Sequence, residues 1–283
     1  MSSKMWESLP YNRVSSVAMK KYKSFFEKHD VERFNQYLES VKNGETKIAS
    51  GALLPHEIIA SLDDEENDGD CNVAELQWRR MVDDMSKIGK LSDCLAIADV
   101  SGSMEGTPMD VAVALGLLIE GDNLRSKTEF IRNMDWGYST DFQKVFDQIL
   151  QVAVDGKLKE DQMIKRLFVF SDMEFNQAAS REGAYCYYGQ EMSAEKWETD
   201  CQTIQNKFRE KGYMNVPEIV FWNLRDSKST PVLGQQKGVA MLSGYSNNLM
   251  TLFLEGDLGE LTPIRVMEKA IAGEEYTKLV VVD

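Results

Sequence analysis

The sequence predicts an α/β protein built on a doubly wound, mostly parallel sheet and preceded by an α-helical segment. Two observations carry that expectation. Short continuous apolar runs recur at Cys94–Ala98 (CLAIA), 166–170 (RLFVF), 219–222 (IVFW) and 239–242 (VAML), as strands buried on both faces require. Between these runs lie stretches with helical spacing, and strands that alternate with helices imply βαβ units with helices on both faces of one sheet. No such run occurs before Asp93, and a length of 283 residues suits one large α/β domain with an appendage. The expected division is therefore a helical segment over 1–90 and an α/β domain over 91–283.

The lead-in opens with 14–41, where Val14, Ala18, Tyr22, Phe25, Phe26, Phe34, Tyr37 and Leu38 recur mainly at helical steps. The pattern breaks near His29-Asp30, so two helices are expected. A short helix follows over 56–62, with Pro55 suited to its first turn because proline has no N–H to leave unsatisfied. An acidic run, 63–70, ends it. Another helix is predicted over 72–88, with Leu76, Met81, Met85 and Ile88 sharing one face. Beyond the first strand, helices are expected over 110–119, 141–154 and 194–211. No internal repeat or low-complexity segment interrupts the order.

Composition narrows the function classes. No apolar run approaches the ~18 residues of a membrane span, and the N-terminal MSSKMWESLPYNR lacks the apolar stretch of a secretory signal. An intracellular protein, cytoplasmic or nuclear, with no membrane association is expected. Cys71, Cys94, Cys186 and Cys201 form no CxxC pair and read as reduced structural thiols. A net charge of −14 repels phosphate backbones and disfavours broad nucleic-acid binding. Lys20-Lys21-Tyr22-Lys23 and Lys165-Arg166 are candidates for a local basic groove, although short basic runs read first as solvated faces.

The chemistry concentrates at the end of the first strand, which runs directly into Asp99-Val100-Ser101-Gly102-Ser103-Met104. Ligands of open α/β sheets bind beyond the carboxyl ends of the strands, so this loop lies where a site belongs. One carboxylate and two hydroxyls at alternate positions supply hard oxygen ligands on one side of a tight loop, with Gly102 expected to let the backbone turn. That set suits magnesium or manganese rather than zinc.

Asp99-x-Ser101-x-Ser103 resembles the first element of the metal-ion-dependent adhesion site of von Willebrand factor A domains. Thr140, in GYSTDF, matches that family's threonine loop, and Asp172, in FSDMEF, matches its later strand-end aspartate. The resemblance implies that Ser101, Ser103 and Thr140 contact Mg2+ or Mn2+, with Asp99 and Asp172 acting directly or through water. One coordination position would stay open for a carboxylate of a protein partner. DVSGSM, SDMEF, the 217–224 strand followed by 238–244, and Leu54-Pro55-His56-Glu57-Ile58 look closest to the Ro-type branch and its plant and viral homologues. Only a remnant of the helical ring that binds RNA in Ro proteins fits before residue 91. The pattern departs from the family between Ile119 and Thr140, where about twenty residues stand in place of two strands. Residues 127–131 supply one strand at most, and 279–282 are a candidate to fill the gap.

The resulting expectation is a metal-dependent protein-interaction module rather than an enzyme. A metal-dependent hydrolase using Asp99, Asp172 and Glu174 is the enzymatic rival. RNA or ribonucleoprotein association is the other. His29 and His56 lie in the helical lead-in and read as surface or capping residues, so a serine-nucleophile triad has no base near Ser101 or Ser103. Trp136, Tyr138, Tyr185, Tyr187 and Tyr188 fall near the loops of the metal face. Of these, Trp136, Tyr138 and Tyr187, with Glu174, are the candidate partner contacts, against the plainer reading of core packing. Residues 64–75 nearly follow an EF-hand calcium loop, against the plainer reading of a solvated acidic linker.

Overall fold

The aromatic and aliphatic spacing of the lead-in produces α1 (Ser16–His29), α2 (Val31–Lys42), α3 (Pro55–Ala60) and α4 (Val73–Ile88) in the computed structural model. It describes residues 6–62, 73–88, 93–120, 124, 128, 142–173, 194–225, 238–245, 264, 267, 268, 271 and 272. The break between α1 and α2 falls on Asp30, whose φ of −152° and ψ of 43° leave the helical region. Its carboxylate accepts from the Tyr11 hydroxyl at 2.9 Å and from Arg33 at 2.8 Å, which holds the corner. Glu57 reaches back to the N–H of Leu54 at 2.7 Å and satisfies a donor that the start of α3 would otherwise leave open.

Helix α4 is buried on two sides. Val73 and Leu76 join a cluster with Tyr11, Met19, Phe26, Phe34, Tyr37 and Leu38. Ala74, Trp78 and Met81 join another with Leu53, Ile58, Ile59 and, from α5 (Thr107–Glu120), Ala114, Leu117 and Leu118. The buried face is therefore wider than the one expected from Leu76, Met81 and Met85. Gln77 lies within it, and its Nε2 donates to the carbonyls of Ser16 at 3.1 Å and Ala49 at 3.0 Å.

Chain contacts define two units, Met1–Lys90 with Val113–Met134, and Leu91–Ala112 with Asp135–Asp283. The second contains β1 (Cys94–Ala98), α6 (Phe142–Asp155), β2 (Arg166–Ser171), α7 (Ala194–Glu210), β3 (Glu218–Asn223) and β4 (Val239–Ser243). The four strands are all parallel, in the order β1-β2-β3-β4. Alternate side chains take opposite faces. Leu167, Val169, Ile219 and Phe221 pack against Phe146, Leu150 and Ala153 of α6 and Ile204 and Phe208 of α7. Phe168, Phe170, Val220 and Trp222 on the other face are also fully buried. Every residue of β2 and β3 after the first is buried, whereas β1 is half-buried throughout, as befits an end of the described sheet.

Within 127–131 the described residue Thr128 is helical, and its hydroxyl donates to the carbonyl of Leu124, four residues back, at 2.8 Å. A threonine can satisfy its hydroxyl against the preceding helical turn, which a count of β-branched residues does not register. Residues 279–282 lie outside the described residues. Among the described residues no helix is long and apolar enough to cross a membrane.

Candidate metal centre

Asp99 follows β1 directly, and its N–H donates to the carbonyl of Phe170 at 2.8 Å, so the ladder runs one residue beyond the strand. Its side chain is buried. Oδ1 accepts from the N–H of Ser101 at 2.9 Å, and this Asx turn folds the loop back over the strand end. A 3-10 turn, Gly102–Met104, comes next, closed by Met104 N–H to the Ser101 carbonyl at 3.0 Å and anchored by the fully buried Met104 side chain. That turn brings Ser101 Oγ and Ser103 Oγ to 3.0 Å. Gly102 lies outside the left-handed region, so the conformational freedom expected of it is not used. Gly106, at φ +92°, makes the left-handed step, and its carbonyl accepts the first N–H bonds of α5.

Pairing of Ala98 with Phe170 sets Asp99 beside Ser171, the last residue of β2. Ser171 Oγ donates to Asp99 Oδ2 at 2.6 Å and accepts from the N–H of Met173 at 3.1 Å. Asp172 lies between them in the chain and is 1% exposed. Met173 holds a left-handed φ of 67° with its side chain in the core under the sheet. At the end of β3, the buried Asn223 accepts from the N–H of Arg225 at 3.0 Å through Oδ1. Trp222 Nε1 donates to the carbonyl of Gly244 at 2.8 Å, and the Tyr245 hydroxyl donates to the carbonyl of Leu224, bracing the ends of β3 and β4. All these groups sit at the carboxyl edge that a parallel sheet presents to ligands.

The donor set fits a small hard cation. Adjacent ligands of an octahedral magnesium ion, each at roughly 2.05 Å, lie about 2.9 Å apart. Ser101 Oγ and Ser103 Oγ are hydrogen-bonded to each other at 3.0 Å, a spacing that two neighbouring ligands of such an ion can also take. Among the described residues no group of three His, Cys, Asp or Glu converges as a metal cluster, so the candidate set is one of mixed hydroxyls and carboxylates.

Residues 119–278 match a family described as a domain of unknown function, DUF7788, and residues 1–91 match a second, DUF2828. The chain belongs to the DUF7788 family. An uncharacterized protein of Acanthamoeba polyphaga mimivirus is 30% identical over 307 aligned positions, covering 94% of this chain and 50% of the viral protein. The chain thus spans half the length of the curated relative it matches. No solved structure matches it.

In this DUF7788 chain, Asp99, Ser101, Ser103 and Asp172 lie at the carboxyl ends of the adjacent strands β1 and β2. Thr140, Trp136, Tyr138, Glu174, Tyr185, Tyr187 and Tyr188 lie outside the described residues. So does most of the 64–75 calcium-loop candidate. Its described last residue, Glu75, sits in the first turn of α4 and pairs with Arg79 at 3.3 Å. The basic candidates are occupied: Lys165 pairs with Asp93 at 2.9 Å, Arg166 with Glu218 at 3.1 Å, Lys23 with Glu27 at 3.6 Å, and Lys20 donates to the Glu57 carbonyl at 2.5 Å. The half-buried Cys94 thiol has its pKa pushed up by burial. His29 stacks on Trp6 with ring centroids 4.7 Å apart.

Sequence reasoning passed over Ser171 and Asn223. Each is the last residue of a buried strand, immediately before the loop, and in a parallel sheet a polar residue at that place is the available signal.

Proposed function

We propose that this chain is a von Willebrand A-type binding module that holds Mg2+ or Mn2+ at the carboxyl edge of its sheet and uses the ion to capture a carboxylate of a protein partner. The observation that carries the reading is the hydroxyl pair of Ser101 and Ser103, 3.0 Å apart in the loop after β1, with the buried Asp99 and Asp172 following the ends of the paired strands β1 and β2. Ser101 and Ser103, with Thr140, would hold the ion, and Asp99 and Asp172 would neutralise it directly or through water. The bound ion would supply a positive charge and an open position that an acidic side chain fills. The strand order agrees with this reading, since the loop after β1 and the loop after β2 are neighbours across one strand pair.

Isothermal titration of the full chain with Mn2+ tests it. Wild type takes up one ion, and Asp99→Ala loses that uptake while keeping its circular dichroism spectrum. Undiminished uptake by the folded mutant overturns the assignment.

A further inference from the structure

We infer that Ser171 is the positioning residue of this centre, presenting the Asp99 and Asp172 carboxylates together; this rests on the metal-binding reading above. The side chain is fully buried, where a hydroxyl is costly unless its hydrogen bonds are made. Both are made, and their direction is fixed without seeing a hydrogen. Met173 N–H can only donate, at 3.1 Å, so it occupies an acceptor site of Ser171 Oγ. The single hydroxyl proton then points to the Asp99 Oδ2 oxygen, which accepts it at 2.6 Å.

Two consequences follow for the carboxylates. Asp99 is gripped at both oxygens, by Ser101 N–H on Oδ1 at 2.9 Å and by Ser171 on Oδ2, which fixes the plane of the group. The same hydroxyl bridges over Asp172 to the N–H of Met173, and that bond helps to hold Met173 at its left-handed φ of 67°. One side chain therefore orients the first carboxylate and sets the backbone that carries the second. Groups that orient ligands in this way typically change metal affinity by ~10–100-fold when removed.

Mn2+ titration calorimetry and thermal unfolding of the full chain test the role, using Ser171→Ala, Ser171→Thr and, as a control in the same strand, Val169→Ala. The expected result is a ~10–100-fold loss of Mn2+ affinity in Ser171→Ala. Affinity should be retained in Ser171→Thr, which keeps the hydroxyl, and in Val169→Ala, which lowers Tm only. Should Ser171→Ala not fold, Ser171→Cys carries the same test, since it keeps the shape and weakens the donor. Equal affinity in wild type and the hydroxyl-deleted variant overturns the role, as does a loss that Val169→Ala reproduces at equal Tm. A wild type that takes up no Mn2+ instead overturns the metal reading, and this role with it.

Discussion

The helical unit and the sheet unit both fill their interiors with aromatic rings, yet they complete their buried polar groups differently. In the first, Tyr11 meets Phe26, Phe34 and Tyr37 with centroids 5.2–5.5 Å apart. Its hydroxyl ends on Asp30, and Arg33 closes the network by donating to Asp30 and to the carbonyls of Trp6 and Leu9 while its guanidinium lies 5.5 Å over the Tyr11 ring. In the second, Phe168, Phe170 and Trp222 line one face, and the polar groups collect at the strand ends, where Asp99 is held by a backbone N–H and a hydroxyl. The first network carries its own cation. The second holds the Asp99 carboxylate with a backbone N–H and a hydroxyl, and the proposed cation would supply its positive charge.

The largest expected effect tests whether the two interiors are separately built. Phe26→Ala and Phe221→Ala each remove a fully buried ring and should cost about 3–5 kcal/mol. Hydrogen exchange should show protection falling in α1 and α2 for the first and in β2 and β3 for the second. Equal loss everywhere in both variants would mean that the units unfold as one, and the comparison would break.

A smaller effect separates the polar networks. Mn2+ at a hundred times its dissociation constant should stabilise the wild type by about 2.7 kcal/mol, with added protection in β1 and β2 and none in α1 and α2. Chelator should reverse it. Protection gained in the helical unit instead would place the ion elsewhere.

The smallest effect is a pH dependence of the helical unit. Burial raises the Tyr37 phenol from 10.0 to about 12, and burial, followed by the bond to Asp30, raises Tyr11 as well. Folding therefore favours the neutral phenols. Their stabilising contribution is complete below the unfolded value near 10 and is lost as pH rises toward the folded value. At pH 11 the Tyr37 contribution should have fallen by about 1 kcal/mol. Urea unfolding at pH 9 and pH 11 should show that loss in wild type and a reduced one in Tyr37→Phe; an unchanged pH dependence in the mutant would remove Tyr37 as its source.

The fold was largely legible because its elements follow from local pattern. The apolar runs at Cys94–Ala98 and within Arg166–Ser171, Glu218–Asn223 and Val239–Ser243 became the strands, and the break at Asp30 became the corner between helices. Reading failed where a residue's role depends on a distant partner. Gln77, which the apolar pattern of α4 does not include, is fully buried, and carbonyls from Ser16 and Ala49 converge on its amide. Residues 127–131 could supply one strand at most, and Thr128, the described residue among them, is helical. The turn freedom expected at Gly102 belongs to Gly106, since sign of φ is a property of the closed loop rather than of a Gly in a motif.

By itself, the sequence determined where strands end and which hard-oxygen residues follow them, because strand burial and loop composition are read within a few residues. It could not decide that Asp99 and Ser171, separated by 72 positions, would share a hydrogen bond. Only the parallel pairing of β1 with β2 did that. The register that sets Ala98 against Phe170 brings the two strand ends level, and the Ser171 hydroxyl at the end of β2 thereby reaches the Asp99 carboxylate.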